Sequence, residues 1–246
     1  MRYPGACDLH SNVTILAAPH RPSKLRRLAY GAFSLLFIKL LLSILYEYRW
    51  YFPPDFDSAF LTGRQHLFVG LYRAAFYAHL VSGPLALVLA SFLMLSGGRS
   101  RYRHIHRYAG RSQMLIVIFA VAPSGFVMAL WAHSGRIAAV GFAMLSLCTA
   151  ATAIVAIIQA RARQFRSHQQ WATRCFVLLC SPLLLRLLSG ALIVLQWDSD
   201  LTYRLNAWLS WLIPLVTYEL WWRRKLDGGL SAPLPRQPSS PESAIQ

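Results

Sequence analysis

Acidic side chains are what this chain has least of: nine Asp and Glu in 246 residues, against 25 Lys and Arg. A carboxylate-based zinc or di-iron site, or a proton relay along acidic side chains, needs several such groups inside the fold. The apolar segments described below contain no Asp and one Glu, Glu219. Cysteine is equally sparse. Cys7, Cys148, Cys175 and Cys180 form no Cys-x-x-Cys pair and no metal-ligand spacing, so they read as small apolar fillers and no disulfide is expected. No Gly-x-Ser-x-Gly, His-Glu-x-x-His or phosphate-binding glycine loop occurs, and motif matching leaves open whether the chain is an enzyme.

Charged residues make up only 14% of the chain and hydrophobic ones 56%, more apolar surface than a soluble domain of this length can hide in one core. The excess comes in six runs of 18 to 22 residues, at 28–46, 74–95, 114–131, 137–158, 175–195 and 205–222. Each is close to the ~20 residues a helix needs to cross a bilayer. The sequence therefore predicts an all-α fold, a polytopic membrane bundle of six transmembrane helices occupying residues 28–222. Residues 1–27 are expected to be a flexible basic tail, and residues 223–246, rich in Pro and Ser, a disordered one. Pro4, Asp8, Pro19 and Pro22 interrupt any apolar run before Leu28, so the first run is expected to act as an uncleaved anchor.

Basic residues are dealt out by loop. The amino-terminal tail, the 99–111 loop, the 161–174 loop and the carboxy-terminal tail hold 18 of the 25, while the alternate connections hold only Arg49, Arg64, Arg73, Arg136 and Arg204. An alternating split of this kind predicts that both termini are cytoplasmic, in a multi-pass protein of the inner (plasma) membrane. It also argues against nucleic acid as the partner, which would need the basic residues gathered on one face; the lipid bilayer and its anionic inner-leaflet lipids are the expected partners. The connection at 47–73 carries Tyr48, Trp50, Tyr51, Phe52 and Phe56 around Pro53-Pro54 and is expected to form an outer aromatic-rich lid. Its second half, 57–72, is expected to make an interfacial amphipathic helix.

Depth along the helices picks out the site candidates. His79 lies roughly 8 Å from the outer end of the second run and Arg186 roughly 13 Å from the outer end of the fifth, at 1.5 Å per residue. An arginine tolerates that depth only against protein, water or an anion, so His79 and Arg186 are expected to line one cavity, with Lys39 of the first run as a possible third member. Pro84 adds to this by freeing a backbone carbonyl one turn earlier. A second candidate group, His106, Arg107 and Arg111 with His168 and Arg174, sits at the starts of two runs on the basic side, where it could grip phosphate, lipid headgroups or haem propionates. Paired histidines from different helices could ligate haem b, with His106 and His168 as the inner pair and His79 and His133 as the outer one. No carboxylate is expected beside either group, and no metal site apart from haem. The two basic loops also echo one another, His106-Tyr108-Arg111 against His168-Trp171-Arg174.

The order of Tyr-x-His-x-x-x-Gly at 77–83, His-Arg-x-x-Gly-Arg at 106–111, His168 with Trp171 and Arg174, and then Arg186 resembles the bacterial integral-membrane family known as domain of unknown function 2306. The likeness covers roughly residues 74–190. It implies a multi-span bundle and marks those His and Arg residues as functional candidates, without bringing an activity. The reading reached from sequence is a membrane protein binding a small cofactor or lipid-like ligand, haem b or a quinone, in a His/Arg-lined cavity. The alternatives are a transporter or lipid-handling protein, and an assembly partner without a ligand.

Overall fold

The computed structural model describes residues 24–230, apart from Ala59, Gly98 and Asp198. Six long helices follow one another: α1 (Lys24–Glu47), α2 (Gly70–Ser96), α3 (Arg103–Leu130), α4 (Arg136–Arg161), α5 (Phe165–Val194) and α6 (Asp200–Leu230). Five segments are long and apolar enough to cross a membrane: Gly31–Trp50 and the helices α2 to α5. In α6 the apolar run is diluted by Asn206, Pro214, Glu219 and several tryptophans, and the helix continues eight residues past Trp222 into the stretch expected to be disordered. The expected tails at 1–23 and 231–246 lie outside the described residues.

The chain falls into two units, Met1–Lys39 and Leu40–Gln246. The described part of the first is the opening of α1, with Lys39 at its end. In the second, α2 and α3 form one helical hairpin, α4 and α5 another, and the hairpins pack side by side through α3 against α4 and α2 against α5; α6 lies on α4 and α5. Short connections force this antiparallel order.

Small side chains make the seams. Ala86 and Ala90 of α2, Ala122 and Ala129 of α3, Ala138, Ala153 and Ala156 of α4 and Ala207 of α6 are all buried, while Val81, Phe119, Leu147 and Ile193 stand exposed. Large apolar groups outside and small ones inside is the arrangement a lipid solvent favours, because close backbone approach and dispersion, not burial of bulk, hold such helices together.

Two helices are interrupted. In α3 the turn Val117–Val121 is π-helical and leads directly into Pro123, and α5 breaks at Cys180 just before Pro182. A proline has no N–H to give to the carbonyl four residues back, and the π turn absorbs the extra residue.

The 47–73 connection is not the amphipathic helix expected at 57–72. It is a string of turns with short 3₁₀ turns at Tyr48–Trp50 and Gln65–Leu67, and Gly63 (φ 73°) turns the chain left-handed. Tyr51, Leu61 and Phe68 are buried with Tyr72 and Phe76 of α2, and the rings meet edge to face, with Tyr51–Phe76 and Phe68–Phe76 centroids each 5.3 Å apart. Aromatic packing on all sides outweighs the one-sided burial that a helix lying flat would achieve.

Candidate functional site

Each hairpin ends in a histidine that staples it. His106, one turn into α3, places Nδ1 3.0 Å from the Ser96 hydroxyl at the end of α2; His168, at the start of α5, places Nδ1 2.8 Å from the Ala156 carbonyl of α4. A carbonyl can only accept, so His168 carries its proton on Nδ1 and leaves a lone pair on Nε2 when neutral. His106 can adopt the same tautomer, with the Ser96 oxygen accepting. The two imidazoles come from different hairpins, which pack side by side.

The echo between the loops is thus a geometric one. In each hairpin the arginine, five residues after His106 and six after His168, stands over the aromatic three residues before it: Arg111 at 5.9 Å from the Tyr108 ring, Arg174 at 4.5 Å from the Trp171 ring.

Arg174 has a further partner. Its Nε and Nη2 donate to the two carboxylate oxygens of Glu219 on α6 at 2.5 and 3.0 Å, a fork-to-fork pair that ties α5 to α6. Arg107 and Arg111 point elsewhere. With His104 and Tyr108 they line an outward groove of about 240 Å³ on α3, offset from the His106 position by roughly 100° and 140° around the helix. The group expected as one cluster from sequence is therefore split into an inward histidine pair, an arginine locked on Glu219, and an outward basic face.

His79 sits where α2 crosses the irregular part of α3. Its Nδ1 is 3.0 Å from the Ser124 hydroxyl and 3.2 Å from the Val121 carbonyl, while Ser124 itself also donates to Ala120. Gly125 lets the ring in: a methyl there would stand 3.2 Å from His79 Cε1 and 2.8 Å from the Ser146 hydroxyl of α4. Arg186 is held by the Glu47 carboxylate at the end of α1, with the phenols of Tyr48 and Tyr51 close by. Burial first, and then the Glu47 charge, pushes the Tyr51 phenol up, so it stays a proton donor. Tyr48 in turn donates to the Leu80 carbonyl, the one Pro84 leaves without its helical N–H. Among the described hydrogen bonds none joins Arg186 to His79, and each has its own partners. His133 is exposed beyond the end of α3, its ring 5.8 Å from that of Tyr203, about 9 Å of helix or more away from the Ser124 level where His79 binds.

Two features contradict the expectation that no carboxylate lies near either group. Glu47 and Glu219 each neutralise one arginine, and both ion pairs bridge helices remote in sequence, which is why spacing along one helix did not reveal them. Gln113 was also missed. Two turns after His106 on the same face of α3, it is only 5% exposed, and both of its amide atoms lack a partner among the described residues. Its position seven residues from His106 was the available signal.

No curated protein and no solved structure matches the chain. A family model described as a predicted membrane protein, domain of unknown function 2306, matches residues 76–222, so the likeness extends beyond residue 190 to take in most of α6 and the Glu219 partner of Arg174. With the match running from the His79 helix through both histidine-stapled hairpins, the chain belongs to the domain of unknown function 2306 family of predicted membrane proteins.

Proposed function

We propose that this is a six-crossing protein of the inner membrane with both termini in the cytoplasm, and that it binds a small cofactor between its two hairpins at His106 and His168. The alternating distribution of Lys and Arg supports the topology. Haem b is the cofactor the donor set favours. Among the described residues no group of three His, Cys, Asp or Glu could hold a metal ion. Two imidazoles leave a bare zinc two ligands short of a tetrahedron, whereas haem brings four nitrogens of its own and asks the protein for two axial ligands.

The single observation that carries this reading is the pinned Nδ1 of each ring, on Ser96 and on Ala156. A hydrogen bond at one ring nitrogen is how a protein fixes the tautomer and orientation of a histidine ligand, presenting the other nitrogen to iron. The cavity first expected around His79 and Arg186 receives less support, since both side chains are already engaged within the protein. A transporter or lipid-handling role is the second reading, favoured by the interruptions of α3 before Pro123 and of α5 before Pro182, and by Pro84 and Pro214 inside α2 and α6.

The test is the reduced-minus-oxidised absorption spectrum of the full chain purified in mild detergent, with iron and haem content measured on the same sample. The b-type α band is expected in the wild type and in His133→Ala, and lost in His106→Ala and His168→Ala. A folded, colourless, iron-free wild type from haem-replete cells removes the proposal.

A further inference from the structure

The outward basic face of α3 stands apart from the histidine pair and calls for its own occupant. His104, Arg107, Tyr108 and Arg111 follow one another at i, i+3, i+4 and i+7 and so share one stripe of the helix, forming the groove of about 240 Å³. Both arginines are exposed, and among the described residues the ion pairs are made by Arg174 and Arg186 alone. The strip lies just before the apolar part of α3 begins at Met114, which is the level where a crossing helix meets lipid headgroups. Tyr108 and Ile105 are 68% and 55% exposed there, an amphipathic ring and an apolar side chain ready to enter the acyl boundary.

We infer that this groove is a docking site for the phosphodiester headgroup of an anionic phospholipid. The shared chemistry is a tetrahedral oxyanion gripped by two guanidiniums one helical turn apart, each offering a planar pair of N–H donors. Charge complementarity selects an anionic lipid over a zwitterionic one, because the choline of the latter would bring a cation towards Arg107 and Arg111. The Tyr108 phenol reaches the headgroup oxygens while its ring lies along the upper acyl chain, so the site favours phosphate that arrives attached to a bilayer over phosphate free in solution. Arg163 and Arg166, at the other basic turn, are equally exposed but are not among the residues lining this groove.

The experiment uses the full chain, loaded with mixed phosphatidylcholine and phosphatidylglycerol, with retained lipid counted by native mass spectrometry. Phosphatidylglycerol is expected to be retained over phosphatidylcholine. The double variant Arg107→Gln/Arg111→Gln should lower that retention by roughly 25-fold, about a factor of five for each basic residue beside an anionic surface. The double variant Arg163→Gln/Arg166→Gln should leave it unchanged. An equal loss in both double variants, or equal retention of the two lipids, overturns the site. The wild-type chain gives a measurement independent of any variant: excess inorganic phosphate should not displace the lipid, and if it does the groove is a soluble-phosphate site and the assignment to lipid fails.

Discussion

Replacing Gly125 with alanine tests the crossing of α2 over α3 most directly. The added methyl would stand 2.8 Å from the Ser146 hydroxyl, 3.2 Å from His79 Cε1 and 3.5 Å from His79 Nδ1. The first contact is the easier to relieve, because the Ser146 hydroxyl can swing to another rotamer. The second is not, because His79 is held on Val121 and Ser124 by bonds of 3.2 and 3.0 Å and can retreat only by breaking them or by moving α2 off α3. Overpacking of this kind costs ~1–3 kcal/mol. Alanine recovers ~0.5–1 kcal/mol of helix propensity over glycine, so the net expectation is a loss of about 1–2 kcal/mol, the strain winning. Thermal unfolding of the purified chain in one detergent, followed by circular dichroism, reads the change as a lowered midpoint. The variant Gly125→Ala/Ser146→Ala should recover only part of it, since the histidine contact remains. A Gly125→Ala protein as stable as the wild type, or more so, would refute the close approach of His79 to α3 and with it the account of why a glycine follows Ser124.

Two further expectations use the same assay. Tyr48→Phe should cost about 1 kcal/mol, the worth of one hydrogen bond, by leaving the Leu80 carbonyl unpaired, and the cost should vanish in a Pro84→Ala background, where residue 84 regains an N–H for that carbonyl; a cost independent of Pro84 would sink the proposed link. Glu219→Gln should destabilise by ~1.5–3 kcal/mol, the range for hydrogen bonds to charged groups, by stranding Arg174, whose side chain is only 16% exposed. Arg174→Met/Glu219→Leu should be milder than the single change, since removing both charges leaves nothing unpaired, and the idea fails if the double variant is the worse of the two.

The run lengths of apolar residues already dictated helices and a membrane solvent, because a bilayer accepts a backbone only when every N–H and C=O is satisfied within its own segment. That His106 and His168 each stand near the start of a helix was legible from the loop echo, since helix rise alone sets their level. Pro84 likewise announced a free carbonyl. What periodicity could not reach was the choice of partner for each polar group. Glu47 lies 139 residues from Arg186 and Glu219 lies 45 from Arg174, and only the packing of hairpins decides which carboxylate meets which guanidinium. The same holds for the rotation of α3, which turned His106 inward to Ser96 and Arg107 and Arg111 outward into a groove of their own. Sequence specified how deep each side chain lies, because rise per residue is a local constant; which way it faces and what it touches depended on helices meeting across the bundle, and that is a property of the assembled fold.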